Sequence, residues 1–546
     1  MKEEPLLLLS DLQKLINQVV LIDYTIIILG GNGMMKKPLS PVQEDIVNTS
    51  GNIIVKASAG TGKTHTMVTK IEKDIADNKS HKVIAAITFT IKAAGEIRDR
   101  LPAISEDHFI GTNNSFAIEE IIKPFMKDVY GRDYDKEMGT DYEVKVEDFD
   151  EGIDEIKESG IIASLKDNKE NFIFKLALDI VKNSFACREF LKAKYFNIYV
   201  DEYQDCDKDM HAFFMYLCDE LEINTFVVGD AKQSIYMWRG AYPKAFESIW
   251  EKPNFEKKFM GENFRSCEAI QNYSNMLCKE TRSFVRDIDD VSAIRLVCTN
   301  LRDWPIDILN EIDLSKKTAV LRYSNDNARV AAELLSDDTN EFIYVPTPPI
   351  ASITTNTAWL YTAIASFFII KTYSVYDIIQ VIPDEAVGYK SLKKNIQAHL
   401  DKISETLDAK DEEVFMNKVK SLADYLGYET KDIHLKKLYK TIVDENNHYY
   451  FLQDSIQNIS MTFHSSKGLE FDQVVLFAED YNLYYPDSIY NHYVAATRAK
   501  ERLIIVYLGE SKDKNFYRNL RNKIADMNKK TEDFMKIIIK DKASNE

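Results

Sequence analysis

Short apolar runs, each followed by a turn and then by an apolar face repeating every three to four residues, recur along the chain. That alternation marks parallel α/β units, whose strands are covered on both faces and therefore read as nearly continuous apolar stretches. The runs are Asn52-Ile53-Ile54-Val55, Val83–Phe89, Tyr195–Val200 and Thr225–Val228, then Asp472–Phe477 and Arg502–Tyr507 late in the chain. Between 114 and 195 the pattern is helical, with an acidic stretch from Asp141 to Glu155. Between 373 and 455 it is again helical, charged and free of strand alternation. The pattern predicts two α/β domains, 36–113 with 196–260 and 261–372 with 456–520. Each carries a mainly helical insertion, 114–195 and 373–455. Residues 521–546 read as a basic-apolar helix with a polar end.

Composition narrows the class. The 546 residues are 45% hydrophobic and 29% charged, which is ordinary globular usage. Net charge is 69 minus 87, or −18, so the chain is no histone-like coat for nucleic acid, although a local basic groove remains compatible with it. Six single cysteines, at 187, 206, 218, 267, 278 and 298, form no CxxC and point to a reduced, cytoplasmic compartment. Residues 1–35 read as an N-terminal extension. Asp11, Lys14, Asn17, Gln18 and Asp23 interrupt its apolar run, which falls short of the roughly 18 to 20 apolar residues of a membrane span. Two readings of residues 1–33 stand open. One is an added helix. The other is a mis-called start, since Gly30-Gly31 can be encoded as a ribosome-binding sequence just before Met34.

Three segments carry chemistry. Ala57-Ser58-Ala59-Gly60-Thr61-Gly62-Lys63-Thr64 has the shape of a phosphate loop, with Ala in place of the first Gly, between a strand and a helix. Its backbone N–H groups cradle phosphates at the helix N-terminus, Lys63 reaches the β/γ-phosphates and Thr64 offers an oxygen to Mg²⁺. Next, Ile198-Tyr199-Val200-Asp201-Glu202-Tyr203-Gln204-Asp205 delivers two adjacent carboxylates at a strand's C-terminal end, where α/β ligands bind. Asp201 would hold the metal and Glu202 would deprotonate the attacking water; the alternative is a solvated acidic strand end. Finally, Gly229-Asp230-Ala231-Lys232-Gln233-Ser234-Ile235-Tyr236-Met237-Trp238-Arg239-Gly240 puts Gln233 where a γ-phosphate is sensed. Tyr236 and Trp238 offer aromatic faces beside a guanidinium, as base stacking needs, or else a piece of core.

These three motifs in this order resemble superfamily-one helicases of the UvrD/Rep/PcrA type. The resemblance runs from about 40 to 507. It includes Pro41-Val42-Gln43, Ile87-Thr88-Phe89-Thr90-Ile91-Lys92-Ala93-Ala94, Gly111-Thr112-Asn113-Asn114-Ser115-Phe116, Glu262-Asn263-Phe264-Arg265-Ser266, Val320-Leu321-Arg322-Tyr323-Ser324-Asn325, the Thr462–Phe471 segment and Tyr493-Val494-Ala495-Ala496-Thr497-Arg498-Ala499. It implies two RecA-like domains with ATP and Mg²⁺ between them. Gln43 and Phe264 would meet the adenine, and Glu470 would touch the nucleotide. Arg265 and Arg498 would act as arginine fingers, unless they are surface or structural arginines. Single-stranded or gapped DNA would cross both domains, with Phe89, Thr112, Tyr236, Trp238, Arg239 and His464 as contacts.

The chain departs from that family's pattern at Ile91, at Asn114, which stands where His is usual, and at Ser488-Ile489-Tyr490-Asn491-His492, which replaces an acidic-basic run. All three departures are expected to touch DNA handling. The second insertion is about half the usual size, and no room for a fused nuclease follows residue 507. A closer likeness is to the helicase-like subunits of Gabija anti-phage systems. It rests on the short chain, Phe109-Ile110-Gly111-Thr112-Asn113, the Asp201–His211 segment and His492-Tyr493-Val494-Ala495. It implies a hetero-oligomer with a GajA-like Toprim nuclease subunit. The rival readings are a housekeeping repair helicase and a DNA-end-sensing ATPase switch that unwinds nothing.

Overall fold

The computed structural model describes residues 38–101, 107–167, 169–234, 242, 244–353, 355, 357–382 and 389–540. They fall into two compact units that divide between Ile46 and Val47. In the first, a helix starts at Pro41, and the Ser40 N–H donates to Gln43 Oε1 (2.9 Å), closing its first turn. Everything below belongs to the second unit.

Fifteen strands follow among the described residues. In chain order they are β1 (Ile53–Ala57), β2 (Val83–Thr88), β3 (Phe109–Thr112), β4 (Gly139–Val146), β5 (Ile161–Leu165), β6 (Tyr195–Val200), β7 (Asn224–Gly229), β8 (Glu256–Met260), β9 (Ile294–Cys298), β10 (Thr318–Arg322), β11 (Ile343–Tyr344), β12 (Asn458–Thr462), β13 (Phe471–Phe477), β14 (Ala499–Tyr507) and β15 (Lys536–Ile539). They form a six-stranded sheet, β3-β2-β6-β7-β1-β8, and a seven-stranded sheet, β11-β12-β10-β13-β14-β9-β15. Each pairing within these two sheets is parallel. The α/β expectation of two parallel-sheet domains therefore holds.

The apolar runs make these strands because both faces are covered. In the second sheet, Leu296, Leu321, Leu476 and Ile505 face one core, while Val297, Val320, Val475 and Ile504 face another. Adjacent residues thus serve opposite layers, as the period of two requires. In β10 all five residues are buried, with the apolar Ala319-Val320-Leu321 held between Thr318 and Arg322.

The structure corrects the helical reading of 114–195. Strands β4 and β5 form a two-stranded parallel sheet there, joined through a helix over Phe149–Ser159. The acidic stretch hid it: apart from Asp141, which is buried, its Asp and Glu residues are exposed or half-buried and mask the apolar positions between them. The end of the chain is also corrected. The helix over Ser511–Ala525 is followed by β15, which pairs with β9, and Phe534 and Met535 are buried in the second sheet's core. The helical core of the second insertion takes in Ile350, Leu360 and Ile364 along with Ile396, Phe415 and Leu435, so that helical unit starts ahead of residue 373. The two insertions meet: His434 Nε2 lies 2.9 Å from Glu143 Oε2, Lys431 pairs with Asp141, and Asp141 bridges to Thr355.

Candidate nucleotide site between the two sheets

Strand β1 ends at Ala57, and the chain turns through Ser58–Gly62 into a helix over Lys63–Asp77. Gly60 (φ +73°) and Gly62 (φ +79°) take the left-handed conformation, which glycine adopts without steric cost. A Cβ at Gly60 would also lie 2.8 Å from the Arg265 Cβ. No side chain caps the helix at Gly62. The first-turn N–H groups therefore remain for a phosphate, reinforced by the helix dipole. Thr61 Oγ donates to the Ser58 carbonyl (2.9 Å), and the Ser58 N–H donates to the Met260 carbonyl (2.9 Å), so the loop is held before any ligand arrives.

Strand β6 delivers Asp201 and Glu202 beside this loop. Glu202 sits at φ +49°, a conformation that costs a non-glycine residue energy and that clusters at functional sites. The Glu202 N–H donates to Asp201 Oδ1 (2.8 Å), and Lys63 Nζ lies 3.2 Å from Glu202 Oε1. Burial and then the Glu202 charge push the Asp201 carboxyl up to about 7. Burial alone would raise Glu202 too, but the Lys63 and Lys467 ammoniums win and bring it down to about 2. Lys63 is held charged: burial opposes its charge, and the carboxylates of Glu202, Asp201 and Asp230 outweigh that. Thr64 and Asp201 supply the oxygen donors a hard cation takes. A Mg²⁺ bound largely through phosphate oxygens and water needs no all-protein cage, and among the described residues none exists. The residues fit the ion, because a cation would replace the proton Asp201 holds so tightly.

After β7 comes the third motif. Gln233 Nε2 donates to Asp230 Oδ2 (2.9 Å), Lys232 Nζ lies 2.9 Å from Asp230 Oδ1 and donates to Ser58 Oγ (3.2 Å). The motif is thereby tied to the phosphate loop. A Cβ at Gly229 would fall 2.5 Å from Gln204 Oε1, so this turn too is built for glycine.

The segment Gly261–Cys267 leaves β8 and runs onto the second sheet. The Phe264 N–H donates to the Gly60 carbonyl (2.8 Å), and the ring is 53% exposed, leaving a free aromatic face beside the loop. Arg265 Nε pairs with Glu470 Oε1 (2.6 Å), and its Nη1 lies 3.4 Å from the Thr497 carbonyl. Ser266 Oγ donates to the Ala499 carbonyl (2.7 Å). Arg498 is buried; its Nε donates to the Val494 carbonyl (2.9 Å). Burial and then the Arg265 charge lower its guanidinium to about 10, and Glu202 opposes this. Lys467 Nζ from the second sheet pairs with Asp205 Oδ2 (2.6 Å). Arg265, Glu470, Arg498 and Lys467 thus converge with Lys63, Asp201, Glu202 and Gln233 on one cleft. Tyr493 joins them and was not singled out from the sequence: its hydroxyl accepts from the Ala59 N–H (3.0 Å) and donates to Asp230 Oδ2 (3.1 Å).

The expected DNA contacts are less uniform. Thr112 caps the Asn113–Ala117 helix in a reciprocal box with Ser115, and Phe89 packs partly against the first core. His464 lies beside Tyr323 (ring centroids 6.4 Å), itself 56% exposed. Gln43 belongs to the first compact unit. Tyr236, Trp238 and Arg239 lie outside the described residues, as does the Ile91 side chain. Asn114 Nδ2 donates to the Tyr142 hydroxyl (3.3 Å), so it is turned toward the first insertion. His492 closes the segment that stands in place of the acidic-basic run. Its ring is fully buried among Tyr273, Tyr481 and Phe516, with Nε2 2.8 Å from the Tyr273 hydroxyl. Burial lowers it to about 3, and a neutral buried ring cannot meet a phosphate.

Comparison with known proteins decides the family. The UvrD/REP helicase N-terminal domain matches residues 39–175 and 166–254, and the UvrD-like helicase C-terminal domain matches 459–506. The Gabija protein GajB of Bacillus cereus is 39% identical over 478 residues, covering 85% of this chain and 94% of that protein. The chain belongs to the GajB family of UvrD-type helicases. The ATP-dependent DNA helicase PcrA of Staphylococcus epidermidis is 25% identical over 301 residues, 45% of this chain and 41% of PcrA. A solved chain of S. cerevisiae Dbp5 covers 93% of this chain and 92% of its own, at TM-score 0.38 and 11% identity, too distant a likeness to carry an argument. As in other UvrD-type helicases, GajB-family membership makes the chain an ATP-dependent helicase-class enzyme. No described helix is long and apolar enough to cross a membrane.

Proposed function

We propose that this chain is the DNA-dependent ATPase and 3′-to-5′ translocase of an anti-phage system, acting beside a GajA-like Toprim nuclease subunit in the cytoplasm. The observation that carries the ATPase part is the reach of a second-domain cation into the acidic motif of the first sheet: Lys467 Nζ pairs with Asp205 Oδ2 (2.6 Å), in the motif whose Glu202 is paired with Lys63. A hydrolytic base and its charge-stabilising partners come from different sheets, so opening and closing the cleft would set the rate.

In this reading Lys63 and the loop N–H groups bind the β/γ-phosphates, and Phe264 takes the adenine. Glu202 orients the attacking water and accepts its proton once ATP draws Lys63, which pairs with it here, toward the phosphates. Gln233 senses the γ-phosphate. Arg265 and Arg498 neutralise transition-state charge, a contribution of about 10³–10⁵ in rate for such fingers. Thr64 and Asp201 would hold Mg²⁺, which when bound screens the phosphate charge. Single-stranded DNA would cross Phe89, Thr112 and His464, with Tyr236, Trp238 and Arg239 completing the track. The proposal keeps the division into 36–113 with 196–260 and 261–372 with 456–520, with the second helical unit beginning near 350.

Support for the partner comes from family membership and from charge. A chain at −18 is poorly equipped to hold duplex DNA alone, and a nuclease subunit would supply grip and cutting. Co-expression with the GajA-like neighbour followed by size-exclusion chromatography tests this. One co-eluting complex, retained in Lys63→Ala because docking should not need turnover, supports it; separate elution at micromolar concentration overturns it. A strand-separation assay run beside an ATPase assay separates a translocase from a switch that only hydrolyses ATP.

A further inference from the structure

Tyr493 is 2% exposed on the helix over Pro486–Ala496, which belongs to the second sheet's layer. Its hydroxyl nevertheless reaches the phosphate loop and the third motif of the first sheet, accepting from Ala59 N–H (3.0 Å) and donating to Asp230 Oδ2 (3.1 Å). The same Asp230 oxygen takes Gln233 Nε2 (2.9 Å). Lys232 Nζ lies 5.3 Å from the centroid of the Tyr493 ring and donates to Ser58 Oγ (3.2 Å). On the other side, the carbonyl of the next residue, Val494, holds Arg498 Nε (2.9 Å). One phenol therefore joins three groups that must agree in position: the loop, the γ-phosphate-sensing Gln233 and the helix end that holds Arg498. Burial and the Asp230 charge keep it protonated and able to donate.

We propose that Tyr493 is a positioning residue for ATP hydrolysis, a hydroxyl strut that sets the register between the phosphate loop and the helix end that leads into Arg498. Ala59 lies ahead of the loop N–H groups that face phosphate, so the strut is compatible with bound nucleotide. It acts through Arg498 and Gln233, which differ in their value to ground state and transition state. Its loss should lower turnover far more than nucleotide binding.

The test is Tyr493→Phe, which keeps the ring over Lys232 and deletes both hydrogen bonds. Single-strand-stimulated kcat is expected to fall about tenfold, the scale of one or two hydrogen bonds lost at the barrier. The KM for ATP and the affinity for ADP stay within about twofold, while affinity for ADP–aluminium fluoride, a transition-state mimic, falls with kcat. In an Arg498→Lys background the added loss should shrink to under about twofold, because residues acting as a unit are not additive. If Tyr493→Phe does not fold, Asp230→Asn, which weakens the same strut from the first sheet, should show the same split between kcat and ADP affinity. Unchanged kcat overturns the proposal. So do equal losses of ADP and mimic affinity, or losses that multiply in the double variant, since either marks a merely structural bond.

Discussion

Asp201 and Glu202 are adjacent carboxylates pushed in opposite directions, one to about 7 and the other to about 2. The difference is the partner: Lys63 sits on Glu202, while Asp201 bears burial and its neighbour's charge. The raised Asp201 pKa has a consequence for stability. The folded state holds the proton more tightly than the unfolded chain, so stability falls as pH rises from about 4 to about 7 and then levels. Asp201→Asn removes that slope and can still accept from the Glu202 N–H. Calorimetry should find its melting midpoint above that of the unsubstituted chain at pH 8 and equal to it near pH 4, with Mg²⁺-dependent hydrolysis lost. At this scale the sequence was informative where a motif fixes the spacing, as with Lys63, Asp201 and Gln233. It placed Tyr493 and His492 within motifs but gave neither a role. A hydroxyl whose partners lie 434 and 263 residues away leaves no spacing to read, and a histidine next to a functional tyrosine looks the same in sequence whether exposed or buried.

Strands β1, β2, β6, β7, β13 and β14 were legible as apolar runs; the interior strands β9, β10 and β12 were not, nor were the remaining edge strands and the insertion strands. Strand β4 alternates charges with Tyr142, Val144 and Val146, and β15 is four residues long behind a polar loop, so neither stands out against helical surroundings. Yet the β15 segment is part of the sheet. Its register runs from Lys536 opposite Arg295 to Ile539 opposite Cys298, and Lys540 Nζ reaches Glu311 Oε1 (2.8 Å). Phe534, 1% exposed, anchors it. Phe534→Ala should cost about 3 kcal/mol or more of unfolding free energy, the scale of a buried phenylalanine removed from a core, with the second sheet's residues losing hydrogen-exchange protection first. A change under about 0.5 kcal/mol, the usual reach of a surface substitution, would mean the segment is appended rather than built in.

Across the whole molecule, the two insertions are latched by unlike charges, with Glu143 facing Lys431, His434 and Lys437. Glu143→Arg places a cation against these groups and should speed amide exchange in 139–146 and 432–443 together, leaving the sheets unchanged; exchange confined to one segment would show that the contact does not couple them. The sheets in turn share one cleft, and the role proposed for Glu202 as hydrolytic base is the point on which the functional reading rests. The most direct measurement is therefore steady-state ATP hydrolysis by Glu202→Gln, with and without single-stranded DNA, beside ATP binding by the same variant. A carboxylate that activates water should, when replaced by its amide, leave nucleotide bound with near-native affinity and lower DNA-stimulated turnover by about 10² or more, the scale of general-base loss. Turnover within about twofold of the unsubstituted chain, with DNA stimulation intact, would contradict it.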